Sequence, residues 1–244
     1  MVNHFKTLIK KMLRSKGLLL VKINDISANK SEYNLIYNSN SQLDLINKFQ
    51  LELSSVLHIG AHFGEEAQQY WDKGIRKVTF VEADPETFKI CERNISKFSG
   101  FIAICALLTN SINQTHRFYI SSNDGMSSSV LKPGRHLLEH PDITFDSSKY
   151  IIGHTLDSLK LQNHDLVVID VQGAEDLVIL GGMQTIGQAK YLFIEVNSGE
   201  LYINDASITK LINLLDENFV LINLEMNNHY YGDAFFINKR CIDY

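Results

Sequence analysis

From Val56 onward the chain alternates short apolar runs with segments of helical period, and this alternation restricts the fold more than any other feature. "VLHIG" (56–60) is predicted as a first strand, "EEAQQYWDKG" (65–74) as a helix closed by Gly74, and "KVTFVEADP" (77–85) as a second strand. "ETFKICERNISKF" follows as a helix opened by Pro85, "FIAICALLTN" (101–110) as a third strand, and "HRFYI" as an extra one. After a polar stretch from Ser121 to Lys149 come the buried strand "DLVVID" (165–170), one helix over "GAEDLVILGGMQTI" (173–186), and the strand "KYLFIEV" (190–196). "ASITKLINLLDEN" reads as helix, and "FVLINLE" with "DAFFINK" as a closing hairpin. Strands alternating with helices make an α/β domain whose mostly parallel sheet is covered on both faces, here with an antiparallel C-terminal edge.

In such sheets ligands sit beyond the carboxyl ends of the strands. Four strand ends carry the residues of interest: Gly60 to Gly64 after the first, Glu82 after the second, Ala106 and Leu107 after the third, and Asp170 after the fourth. A glycine turn lets backbone N–H groups approach a ligand carboxylate or phosphate. Glu82, 22 positions after Gly60, is spaced to accept hydrogen bonds from both hydroxyls of a ribose. A dinucleotide and S-adenosylmethionine both carry that ribose. The glycine spacing separates them: a pyrophosphate site wants G-x-G-x-x-G, and "GAHFG" lacks the middle glycine.

The chain from about Val56 to Lys239 resembles the FkbM family of S-adenosylmethionine-dependent methyltransferases. The resemblance is carried by "VLHIGAHFGEE", "VTFVEADPETF", "MSSSV", "TLDSL", "LVVIDVQGAEDLVILGG", "LFIEVNSGELY" and "GDAFFINK", most specifically by "IDVQGAE" as a D-x-x-G-x-E signature. It implies a seven-stranded, Rossmann-like class I methyltransferase fold and O-methylation of a hydroxyl, often on a sugar or polyketide. By position, the resemblance puts His58, Gly60, Ala61, His62 and Gly64 around the methionine moiety, Glu82 and Ala83 at the ribose, and Ala106 and Leu107 beside the adenine. Asp170 falls near the amino group or the reaction centre. The family pattern has Asp where this chain has His58, and Asn where it has His62.

Asp170, Glu175 and Glu195 are the candidate catalytic groups, since a base that removes the hydroxyl proton contributes ~10²–10⁴-fold. Each has a plainer alternative. Asp170 is suited to capping the next helix, Glu175 to its first-turn dipole, and Glu195 to finishing a strand. Asp170, Glu195 and Asn197 also form an oxygen set that could hold Mg²⁺, although a required metal is not expected. The polar insertion 121–149 is expected to fold over the cleft, with Asp124, Ser127, Ser128 and neighbouring Arg135 and His136 reading a hydroxylated substrate. His154 and Asn197 complete the substrate-side set. Two rival readings are a noncatalytic Rossmann-like binding protein and an NAD-dependent oxidoreductase.

Domain boundaries follow: residues 1–50 as a basic helical extension and linker, 51–244 as the methyltransferase domain. Phe5, Leu8, Ile9, Met12 and Leu13 fall at helical spacing among lysines, a pattern suited to packing on the body, to an anionic membrane face or to a glycosyltransferase partner. The net charge of −5 gives no nucleic-acid footprint. Three scattered cysteines point to reduced thiols, and with no apolar run of spanning length a cytoplasmic setting, peripheral at most to the inner membrane face, is expected.

Overall fold

The computed structural model describes residues 51–197, 200–226 and 230–242; the expected basic helix near the N-terminus lies outside the described residues. Seven strands form the main sheet: β1 (Ser55–Ile59), β2 (Lys77–Glu82), β3 (Phe101–Cys105), β7 (Leu166–Ile169), β8 (Tyr191–Asn197), β9 (Phe219–Met226) and β10 (Tyr231–Asn238). Their order is β3-β2-β1-β7-β8-β10-β9. Only β10 runs against its neighbours, so the C-terminal hairpin closes that side of the sheet with β9 outermost. A second sheet, β4-β6-β5, is built from β4 (Leu107–Leu108), β5 (Thr115–Ile120) and β6 (Ser147–His154).

β1 lies at the middle of the sheet, and all five of its residues are buried. Successive side chains serve opposite layers, as the two-residue period of a strand requires. Val56, with Val78 and Phe80 of β2, meets Tyr70 of α1 (Ala67–Asp72) and Cys91 and Ile95 of α2 (Pro85–Ile95). Leu57 and Ile59, with Val167 and Ile169, meet Val178 and Ile179 of α4 (Glu175–Gly181) and Leu211 of α6 (Ile208–Leu215). Burial on both faces explains why β7 reads as an unbroken apolar run and β1 as one interrupted only by polar Ser55 and His58.

Two predicted elements are divided. The third strand stops at Cys105; Leu107 and Leu108 turn away to pair with Gly153 and His154 of β6, while the Ala106 N–H donates to the Glu82 carbonyl at 2.9 Å. The helix expected over 173–186 is two, α4 and α5 (Met183–Gly187), parted at Gly182. There Asp157 captures the start of α5, accepting from the Gln184 and Thr185 N–H groups. The remaining helix, α3 (His136–Glu139), lies in the insertion. No helix among the described residues is long and apolar enough to cross a membrane.

Candidate active site

The strand registers place one residue from each of six neighbouring strands in a transverse line at the carboxyl end of the parallel strands. Ile59 pairs with Val81 and Ile169, and Ile169 pairs with Ile194. The next residues along are therefore Glu82, Gly60, Asp170 and Glu195. Glu195 pairs with Asp233, and Asp233 with Glu225. Residues in register share a face, so the line carries five carboxylates interrupted by one glycine. A cavity of about 550 Å³ opens over it, within the ~300–1,000 Å³ usual for small-molecule sites.

Gly60 answers for the gap in the line. Its φ is +84°, and a Cβ there would lie 1.6 Å from the Asp170 carbonyl oxygen, so no other residue fits this crossing. Gly64, at φ +74°, brings the loop against Cys91 and Ile95 of α2. The loop between them does not present the expected row of vacant amides. Gly60 and Ala61 donate to the Val81 carbonyl, His62 to Glu82 Oε2, Phe63 to Glu65 Oε2 and Gly64 to the Ala61 carbonyl. The glycines serve a tight turn whose own acceptors, Glu82 above all, take up its N–H groups.

Glu82 is held from two sides, with Oε2 accepting from the His62 N–H and Oε1 from the Asp84 N–H, both at 2.9 Å. Each oxygen keeps a lone pair, and the residue lines the cavity beside Ala83, Ala106 and Leu107. Burial pushes its carboxyl up to about 7, against the pull of those backbone N–H groups and of His62. His62, at φ +45°, sets Nδ1 2.7 Å from Glu65 and Nε2 2.9 Å from the Asp124 carbonyl. Both neighbours accept, so both ring nitrogens donate. Burial opposes the charge, but the bonds to Glu65 and Asp124 raise the pKa above the ordinary histidine value.

His58 turns away from the chemistry that the family pattern has at its position. It is buried, its Nδ1 lies 3.0 Å from the Tyr70 hydroxyl, and its ring stacks on Phe80. It touches the cavity only as part of the β1 floor.

Asp170 and Glu195 meet at the ends of β7 and β8. Gln172 Nε2 donates to Asp170 Oδ1 and to Glu195 Oε2, each at 2.8 Å, and so bridges the two carboxyl groups. Burial, then the charge of Asp170, holds Glu195 well above the usual carboxylate range, so it is the protonated member. Gln172 has φ +56°, a conformation uncommon outside glycine and stored at a site that fixes it. Its Oε1 lies 3.1 Å from the Tyr202 hydroxyl, which also lies 2.8 Å from the Ser127 carbonyl. A chain of contacts thus runs from the two carboxylates into the insertion.

Glu175 does not join them. It is fully buried behind the turn, where Oε1 accepts from the Gly173 N–H at 2.9 Å and the Val171 N–H at 3.3 Å. It does not reach the cavity; it positions the turn that carries Asp170 and Gln172, and the catalytic expectation for it is corrected accordingly. Nor does Asp170 cap the following helix, which begins at Glu175 after Ala174.

Of the substrate-side residues, Ser127, Ser128 and Asn197 line the cavity. Ser127 and Ser128 also close their own loop, accepting from Asn123 Nδ2 and from the Ser121 N–H. Asn197 is buried and its Nδ2 has no protein partner, which leaves a donor ready for a ligand. Asp124 contributes its carbonyl to His62 and not its side chain to the cavity, and His154 lies in β6 outside the cavity wall. Sequence reasoning missed Gln172, Tyr202 and the cavity-lining role of His140. Gln172 and Tyr202 lie inside the quoted signature stretches, but nothing in a glutamine or a tyrosine marks such a bridge.

The residues fit S-adenosylmethionine. Glu82 offers two free acceptor positions to a ribose diol, and Ala106 and Leu107 give apolar wall for an adenine. The acidic line suits a molecule with a single net positive charge. The Asp170–Glu195–Asn197 set has both its carboxyl groups bridged by Gln172, and among the described residues no group of three or more His, Cys, Asp or Glu is placed to hold a metal.

Fold and site together define a Rossmann-like methyltransferase that uses S-adenosylmethionine. Within that class the chain belongs to the FkbM family: residues 58–228 match the Methyltransferase FkbM domain. The chain is 27% identical over 171 residues to 2-O-methyltransferase NoeI of Sinorhizobium fredii, an alignment covering 66% of this chain and 70% of that one. Among solved structures, methyltransferase FkbM from Methylobacillus flagellatus superposes with a TM-score of 0.50 at 14% identity, which supports the fold. That match covers 75% of this chain and 43% of the crystallised one. The NAD-dependent reading falls with the family assignment.

Proposed function

We propose that the protein is an O-methyltransferase that methylates a hydroxyl group of a sugar or glycan. The observation that carries the reading is the transverse line, with Glu82 on one side of Gly60 and the Asp170–Glu195 pair on the other, in a single cavity. The likeness to a 2-O-methyltransferase supports transfer to oxygen.

When bound, S-adenosylmethionine supplies an electrophilic methyl group on a sulfonium. Glu82 accepts from the ribose hydroxyls. Asp170 is the group that takes the acceptor's hydroxyl proton. Glu195 keeps its own proton beside it, and Gln172 holds both carboxyl groups in place. Asn197 Nδ2 donates to an acceptor oxygen. Holding the acceptor in line contributes up to ~7–11 kcal/mol in well-oriented reactions, and proton removal adds ~10²–10⁴-fold.

Incubation of the protein with S-adenosylmethionine and a panel of mono- and oligosaccharides, followed by mass spectrometry, should show gain of one methyl group on a hydroxyl. Transfer to nitrogen or carbon acceptors with none to any sugar would defeat the reading.

A further inference from the structure

The cavity is lined by six acidic residues, Glu65, Glu66, Glu82, Asp84, Asp170 and Glu195, of which Glu195 keeps its proton, and among its described lining residues there is no lysine or arginine. Asp233 and Glu225 extend the same line behind Glu195. The devices that proteins use to hold a phosphate are absent or already filled. The amides of the Gly60–Gly64 turn are spent on protein acceptors. The N-terminus of α2, facing the cavity through Asp84, is capped by that residue's own carboxylate, which accepts from the Glu86 N–H at 2.8 Å.

The nearby cations are engaged as well. Lys149 Nζ lies 2.7 and 2.8 Å from the two oxygens of Asp84, and Arg135 pairs with Glu139 and lies over the Tyr230 ring. His62 meets Glu65 and the Asp124 carbonyl. Lys132 is exposed and lies outside the cavity lining. A nucleoside diphosphate ester would bring two negative charges into a bowl whose described lining offers no lysine or arginine to meet them. Like-charge juxtaposition of this kind is how sites reject a partner.

We infer that the acceptor enters this cavity without phosphate or carboxylate, so that the methyl group goes to a sugar already released from its nucleotide carrier. The inference rests on the sugar-directed reading above. It places a glycosyl transfer before the methylation: the bond from the anomeric carbon to the acceptor oxygen forms as the sugar–phosphate bond breaks. The nucleoside diphosphate departs with the electron pair, and the acceptor hydroxyl loses its proton. Methylation acts on the glycoside that results. The same charge pattern admits an uncharged sugar or one bearing a protonated amine.

Two measurements test this on the full chain. In the first, methyl transfer is followed on sugars offered in matched form, as methyl glycosides and as their nucleoside diphosphate esters. A glycoside should be methylated with kcat/KM at least about 100-fold above that of its nucleotide ester, and the gap should narrow as salt rises to ~0.5 M and screens the cavity. A nucleotide ester methylated as well as its glycoside, or better, overturns the inference. In the second, calorimetry with uridine diphosphate alone should show no saturable binding; a submillimolar site that competes with S-adenosylhomocysteine overturns it. If no sugar in either form is methylated, the sugar reading fails by the first measurement, and the exclusion of anions is still decided by the second.

Discussion

The two sides of Gly60 are built from the same material and do different work. On the Glu82 side the transverse line carries a single carboxylate, and backbone N–H groups from the two adjoining loops fix both of its oxygens. On the other side Asp170, Glu195 and Asp233 follow one another in register, and a side chain, Gln172, fixes the first two. An isolated carboxylate with free lone pairs is a binding group. Crowded carboxylates cannot all ionise, and burial with the charges of Asp170 and Glu225 pushes Asp233 up to about 7. The crowded side is therefore where a proton can be held or accepted, and the Glu82 side is the one whose free lone pairs suit a diol.

The largest effect that separates the two sides should come from Asp170→Asn. With any sugar acceptor, kcat is expected to fall about 10²–10⁴-fold, the usual contribution of a general base, while the cofactor dissociation constant changes far less. Equal losses in both would erase the distinction between the sides. Glu82→Ala should show the reverse: cofactor affinity lower by roughly 10–100-fold, in line with hydrogen bonds to a charged acceptor, and kcat nearly intact at saturating cofactor.

A pH titration sharpens the contrast. Because burial raises Glu82 to about 7, its carboxyl is protonated below that pH and offers one acceptor fewer. Cofactor affinity is expected to rise as pH climbs through about 7 and then level off, and Glu82→Gln should flatten the curve. A slope that persists in Glu82→Gln would assign the titration to His62, whose ring lies on the same loop.

The smallest effect concerns the turn beneath Asp170. Burial raises Glu175 to about 8, above its ordinary value of 4.5, so the fold favours the neutral form. The stability tied to that proton is complete below about 4.5 and is lost as pH rises through about 8. Glu175→Gln should therefore gain on the wild type in thermal melts between pH 5 and 8, by up to about 1.4 kcal/mol per pH unit, and the gain should level off above 8. A constant difference across that range would remove the buried acid from the explanation.

Much of this was legible in the residue pattern, and the reason is local. Glu82, Gly60 and Asp170 each end a strand whose apolar run is unmistakable, so their meeting at one edge follows from parallel pairing. Ala106, Leu107 and Asn197 line the cavity from strand ends in the same way, whereas His58, Ala61, His62 and Ala83 come from the family resemblance and Ser127 and Ser128 from the polar insertion. What local pattern could not carry was register across β8, β10 and β9, which aligns Glu195, Asp233 and Glu225 through contacts between distant segments. Glu175 looked catalytic because a signature records that a residue matters, not which way it faces. The parting of α4 from α5 depended on Asp157, a residue from a separate turn that reaches Thr185.

The division of labour across Gly60 is tested most directly by calorimetric titration of S-adenosylmethionine into the wild type, Glu82→Ala and Asp170→Asn side by side. The wild type is expected to bind in the micromolar range, roughly −8 kcal/mol, with Glu82→Ala weakened at least about tenfold and Asp170→Asn within about threefold of the wild type. Equal weakening by both substitutions, or no binding by the wild type, would contradict it.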